Sequence, residues 1–146
     1  MTGEAITVRP SRRQDAEGIL QLWAEARSGH ASTTDRLDDV ESLVADSPGA
    51  LLVAERGDEI VGALIAAWDG WRGNLYRLTV REGHRREGIG VTLIRAGEEH
   101  LRDRGARRVT ALVAFEDDSI AAFWESAGYP LDDDIGRRVR NLAPGS

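Results

Sequence analysis

The 146-residue chain contains no cysteine and no lysine. Without cysteine it has no structural disulfide, no thiolate zinc site and no cysteine nucleophile. Without lysine it has no Schiff-base amine and no lysine-bearing phosphate loop; all 19 basic residues are arginine. No apolar run approaches the roughly 18 residues that span a bilayer. The opening Met1-Thr2-Gly3-Glu4 lacks a basic region followed by an apolar stretch, so no signal peptide is expected and a cytoplasmic location fits. The histidines, His30, His84 and His100, are scattered without metal-ligand spacing, so no metal is expected. A net charge of -6 disfavours nucleic acid or an anionic membrane as partner.

No Ser/Gly-rich linker, repeat or low-complexity tract divides the chain, and its length suits a single domain over residues 1–146. Ala5 to Arg9 alternates apolar and polar as a strand, closed by Pro10. Ser11 and Gln14 are spaced as a capping box, with Asp15 adding negative charge to a helix start. Ile19, Leu20, Trp23 and Ala26 form one helical face, and Leu37, Val40, Leu43 and Val44 a second. Two apolar runs, 50–55 and 59–68, flank Arg56-Gly57-Asp58 and predict an antiparallel hairpin. A third strand is expected over 74–80, a helix over about 88–104, a strand through Val109, Ala111 and Val113, and a helix over 117–127. A final strand is expected within 129–142. Three consecutive strands followed by helix, strand, helix and strand argue for an α+β, mixed α/β sheet.

The most informative segment joins Leu78-Thr79-Val80 to Arg85-Arg86-Glu87-Gly88-Ile89-Gly90. A strand runs through a basic loop into a glycine-rich helix start, which is an anion site. The first amides of a helix lack internal partners, and the dipole places partial positive charge there. Gly88 and Gly90 let a ligand approach the backbone, and Arg85 and Arg86 can fork onto phosphate. A pyrophosphate is the natural guest. A dinucleotide fingerprint would need a third glycine where Leu93 stands, and a Walker loop needs lysine.

Arg85-x-x-Gly88-x-Gly90, preceded by Leu78-x-Val80, resembles the acyl-CoA-binding motif of the GNAT acetyltransferases. The segment from Phe123 to Tyr129 resembles that superfamily's second motif, and Val8-Arg9-Pro10 with Asp15 and Ile19 its first strand and helix. Leu52 to Glu55, Asp69-Gly70-x-Arg72-Gly73 and Gly128-Tyr129-x-x-Asp132-Asp133 are similar to the small bacterial YpeA-like branch. The resemblance implies a mostly antiparallel, splayed sheet of about six to seven strands flanked by about four helices. It further implies acetyl-CoA as co-substrate, with pantetheine along the backbone of Leu78, Thr79 and Val80. Its pyrophosphate would lie on the amides from Glu87 through Ile89 and Gly90 to Val91. The acetyl group would pass directly to a primary amine. The resemblance allows a homodimer, although no segment declares an interface.

Such chemistry needs an acceptor for the amine proton and a donor for the departing thiolate. Many members carry a tyrosine donor four residues before the glycine of the second motif; Trp124 stands there, counted as a cofactor contact. An indole N–H donates a hydrogen bond but is no acid near neutral pH. Tyr76, beside the expected cleft, is the alternative donor, whereas Tyr129 is read as core. Glu55 and Asp69 are the candidate bases, each set against a structural role. Trp68, Trp71 and Arg72 are set between an acceptor pocket and a solvent-exposed turn. A non-catalytic acyl-CoA sensor and a nucleotide-phosphate binder are the competing readings.

Overall fold

A computed structural model describes residues 5–26, 35–85, 87–113 and 118–142. The expectations placed on Arg86 and His30 lie outside these residues. The elements, in chain order, are β1 (Ile6–Pro10), α1 (Ala16–Glu25), α2 (Leu37–Asp46), β2 (Leu51–Arg56) and β3 (Glu59–Trp68). There follow β4 (Gly73–Val80), α3 (Ile89–Asp103), β5 (Val109–Ala111) and α4 (Asp118–Ser126). They build one five-stranded sheet in the order β1-β2-β3-β4-β5. The first three pairings are antiparallel, and β4 with β5 is parallel. This is the mixed α/β architecture expected, and no helix among the described residues is long and apolar enough to cross a membrane.

The central strands read as unbroken apolar runs because helices cover both faces of the sheet. Leu51, Val53 and Ala63 face Ile19, Leu22, Trp23 and Val40 of α1 and α2. Leu52, Ala54, Leu64, Ala66 and Leu75 face Ile89, Leu93, Ile94 and Leu101 of α3 and Trp124 of α4. Leu93, Ile94 and Leu101 are fully buried, each contributing about 1.5–3 kcal/mol of burial. Small residues let α3 sit close. A Cβ at Gly97 would lie 3.0 Å from Leu64 Cδ2, at Gly73 2.8 Å from Leu101 Cδ1, and at Gly62 3.0 Å from Leu93 Cδ1.

Local expectations changed in four places. The start of the first helix is capped by Asp15, whose Oδ2 accepts the Arg12 amide at 2.7 Å, and not by Ser11 with Gln14. Asp15 is buried and gripped by Arg9 at 2.8 and 3.1 Å, so its charge serves an ion pair as well as the helix start. The final strand does not form within 129–142, where Leu131, Ile135, Val139 and Leu142 are exposed. Pro130 removes a ladder donor, Asp132 turns the chain by accepting the Asp134 amide, and the apolar residues recur every three or four positions instead of every second. Among the described residues the sheet accordingly has five strands instead of six or seven. Glu98, which beside Glu99 reads from the sequence as a solvated helix face, instead accepts the Tyr129 hydroxyl at 2.6 Å. His84, which in its charged loop reads from the sequence as solvated or a minor phosphate contact, instead meets Arg56 Nη1 through its Nδ1 at 3.1 Å.

Candidate functional site

The sheet is split along one seam. β4 pairs with β5 only from Gly73 to Leu75, against Val109 to Ala111, and the Leu112 amide adds a last bond to the Leu75 carbonyl. Past this point Tyr76 to Val80 pairs with no strand on that side among the described residues. The backbone there is left with polar groups that a ligand can use.

A β-bulge marks where the split begins. Ala63 is paired with Thr79 and Ile65 with Tyr76, so Leu64 alone faces Arg77 and Leu78. Arg77 takes the extra position at φ 57°, the single positive φ of a non-glycine side chain among the described residues. That conformation costs about 1–2 kcal/mol. The bulge also resets which face each side chain meets. Leu75 packs on the α3 side, and so do Leu78 and Val80. Arg77 and Tyr76 turn toward α1 and α2: Arg77 Cζ lies 4.4 Å over the Trp23 ring, and Tyr76 stands opposite Ile65, which packs on that layer.

At the far end of β4 the chain reaches the start of α3. Arg81 anchors the exit, donating Nε and Nη2 to the Ile60 carbonyl at 3.3 and 3.0 Å and pairing with Glu25. Arg85 Nε donates to the Val80 carbonyl at 3.3 Å and is otherwise exposed. Gly88 then caps α3 in a left-handed conformation, φ 80°, with no side-chain cap and no acid in the first turn. The Gly88 carbonyl accepts from the Thr92 amide at 3.0 Å, so the amides of Ile89, Gly90 and Val91 precede the first helical bond and have no intrahelical acceptor. A Cβ at Gly88 would meet nothing within 4 Å. Uncapped amides and open space suit an anion. The nearest acid is neutralised: Glu87 pairs with Arg56, which holds its carboxyl below the usual carboxylate range.

The two motif glycines have different reasons. A Cβ at Gly90 would sit 2.9 Å from Phe123 Cζ. Gly90 therefore lets α4 cross α3, in place of the ligand approach expected of it. The Ile89 side chain is core, 2% exposed, so only its backbone faces the seat. Thr79 is half-buried and donates its hydroxyl to the Arg77 carbonyl at 3.1 Å. Trp124 is 8% exposed and lies edge-on to Phe123 and Tyr129, with centroids 5.7 and 5.5 Å apart. Its ring is held in the core. Tyr129 donates to Glu98; burial first, and that carboxylate second, raise its pKa above the usual phenol range.

The structure does not bring Glu55 and Asp69 to the split. Glu55 lies on β2, two strands and roughly 10 Å from β4, held by Arg9 Nη2 at 3.1 Å. That hydrogen bond leads the causes that lower its pKa. Asp69 lies at the paired end of β4, where its Oδ1 accepts the amides of Arg72 and Trp71 at 2.7 and 2.8 Å, lowering its pKa. Trp71 is 73% exposed, with Arg72 stacked 4.3 Å over it, as an exposed turn. Among the described residues no group of three metal-ligating side chains occurs. Sequence reasoning missed Arg77, although its signal was present. The inward residues Leu75, Leu78 and Val80 switch from odd to even positions, which an unbroken strand cannot do.

The family model described as Acetyltransferase (GNAT) family matches residues 16–129. An acetyltransferase of Pectobacterium atrosepticum is 32% identical over 134 residues, covering 90% of this chain and 94% of its own. One from Sodalis glossinidius is 30% identical over 135 residues with the same coverage. Among solved structures, a GNAT family acetyltransferase of Streptococcus pneumoniae superposes with a TM-score of 0.74 at 21% identity, over 95% of this chain and all of its own.

Proposed function

The chain belongs to the acetyltransferase (GNAT) family, and from that premise we propose that it moves an acetyl group directly from acetyl-CoA to a primary amine, as a single cytoplasmic domain. The observation that carries this reading is the uncapped start of α3, open at Gly88, beside the split in the sheet. Pyrophosphate is assigned to the amides of Ile89, Gly90 and Val91, with Arg85 able to swing from the Val80 carbonyl onto phosphate. Pantetheine is assigned to the backbone of Leu78 to Val80 on the edge that β5 leaves open.

Acetyl-CoA, when bound, supplies an acetyl group on a good leaving group. A neutral amine forms the new C–N bond, the C–S bond breaks, and the thiolate leaves. The chain's contribution is to bind, orient and polarise. The bulge at Arg77 interrupts the ladder to β3, and a backbone amide there is assigned to the thioester carbonyl. Tyr76 is the hydroxyl assigned to return a proton to the thiolate. Glu55 and Asp69 are committed elsewhere, so the amine's proton passes to water, from which Tyr76 regains the proton it gives to the thiolate.

Titration calorimetry with acetyl-CoA, followed by thiol release in the presence of spermidine, an aminoglycoside or a lysine-containing peptide, tests this. Wild type binds and releases thiol with at least one amine. Gly88→Glu abolishes binding by placing bulk and negative charge on the seat. A folded Gly88→Glu chain that still binds acetyl-CoA overturns the site. One observation favours a second reading, a non-catalytic acyl-CoA sensor: Trp124 is buried and the Tyr129 hydroxyl is engaged. Binding without thiol release across broad amine classes supports it.

A further inference from the structure

Arg77 spends a strained backbone on an arginine where glycine would fit without strain. Its side chain is therefore the feature to explain. The guanidinium forks onto Asp35, Nη1 to Oδ1 at 2.7 Å and Nη2 to Oδ2 at 2.8 Å. The same group lies 4.4 Å over the ring of Trp23. Asp35 stands just ahead of α2, and Trp23 is a buried residue of α1. One side chain thus ties the opening of β4 to both helices of the layer on that face. The start of α3, to which pyrophosphate is assigned, belongs to the other side, where Leu78 and Val80 pack toward α3.

We propose that Arg77 is a positioning residue for the amine acceptor. By clamping Asp35 and stacking on Trp23, it sets the α1/α2 layer against the mouth of the split, and that layer is the wall on which the acceptor rests. The inference rests on the acetyl-transfer reading. Tyr76, the neighbour of Arg77, faces the same layer, so the clamp also borders the residue assigned to protonate the thiolate. A lysine could keep the charge but not the planar fork, and it would stack less well on the indole.

Three variants of the full chain separate the clamp from general stability. Arg77→Gly removes the side chain while relieving the backbone. Asp35→Asn removes the partner's charge with little change of shape. Arg77→Lys keeps a cation without the fork. At saturating acetyl-CoA, the amine is spermidine, an aminoglycoside or a lysine-containing peptide, whichever wild type acetylates. Arg77→Gly raises the amine KM roughly tenfold, with a smaller fall in kcat, while the acetyl-CoA Kd stays within about twofold. Asp35→Asn moves the same way and less far, and Arg77→Lys recovers part of the loss. Hydrogen exchange of the α2 amides quickens in Arg77→Gly and that of α3 does not. An unchanged amine KM in Arg77→Gly overturns the proposal, because the clamp is then structural only. A rise in acetyl-CoA Kd equal to the rise in amine KM also overturns it, placing the effect on the donor side. Wild-type protein that binds no acetyl-CoA sinks the acetyl-transfer reading instead. The exchange measurement needs no ligand, and unaltered α2 exchange would then dispose of the clamp separately.

Discussion

On the α3 face the sheet is met by carbon: glycines at 62, 73 and 97 receive Leu93, Leu101 and the ridge around Leu64 and Leu75 with almost no spare room. On the α1/α2 face Ile19 and Leu22 are buried against Leu51, Val53 and Ala63, and arginines add ties around that core: Arg9 to Asp15 and Glu55, Arg77 to Asp35 and Trp23, Arg81 to Glu25. Dispersion in a close-packed seam falls steeply with separation, so the α3 face has one geometry. The outer ion pairs, Arg77 with Asp35 and Arg81 with Glu25, are partly exposed; such pairs are weaker and tolerate small shifts. The face that presents the anion seat is thereby fixed. The face that Arg77 and Tyr76 look onto carries ties that can shift, which suits the acceptor side of the proposed reaction.

The largest expected effect breaks the carbon side. Leu93 is fully buried and lies where a Cβ on Gly62 would touch it. Leu93→Ala removes that contact and leaves a cavity, at a cost of about 2–5 kcal/mol. Thermal unfolding measures it. A loss well under 1 kcal/mol would mean that α3 settles onto the sheet, and that the seam is less rigid than its close contacts imply.

The next effect tests the polar side. Arg9→Met leaves Asp15, 8% exposed, without its cation, at a cost of about 1–3 kcal/mol near neutral pH. The pH dependence has a definite sign. The hydrogen bond from Arg9 lowers the Asp15 pKa in the folded state. Its stabilisation is therefore fully present above the unfolded value of about 3.9 and is lost as pH falls through the folded value. Wild-type stability should drop across that acid window, and the drop should be much smaller in Arg9→Met. Parallel acid limbs in the two proteins would show that other carboxylates set the acid sensitivity.

These two sides were unequally legible in the sequence. Apolar runs at 50–55 and 59–68, the helix stripe through Ile89, Leu93, Ile94 and Leu101, and the glycine-rich loop are local patterns, and each became the expected element. The ion pairs join residues far apart in sequence, such as Arg77 with Asp35 and Arg9 with Glu55, and no local period announces them. Glu98 reads as solvated for the same reason: its partner Tyr129 lies beyond the end of α4, 31 residues on. The cap at Asp15 was displaced from Ser11 because Arg9, on the neighbouring strand, holds the carboxylate in place. Trp124 and Tyr129 were legible as a motif, but their commitment to the core and to Glu98 belongs to packing.

The smallest effect separates two glycines that the motif presents as equivalent. Gly88 is left-handed with nothing near its missing Cβ, so Gly88→Ala carries only a backbone cost of about 1–2 kcal/mol. Its added methyl lies beside the amides assigned to pyrophosphate, so acetyl-CoA affinity falls along with stability. At Gly90 an alanine gains about 1 kcal/mol of helix propensity, but its Cβ starts 2.9 Å from the tip of the Phe123 ring. The ring is a half-buried side chain and can swing aside, so the two contributions nearly cancel and stability barely changes. Calorimetric binding alongside thermal unfolding distinguishes the positions. Gly88→Ala should weaken acetyl-CoA more than Gly90→Ala does. The reverse order would place the ligand against Phe123 and would move the donor site from the helix start onto the α3–α4 crossing.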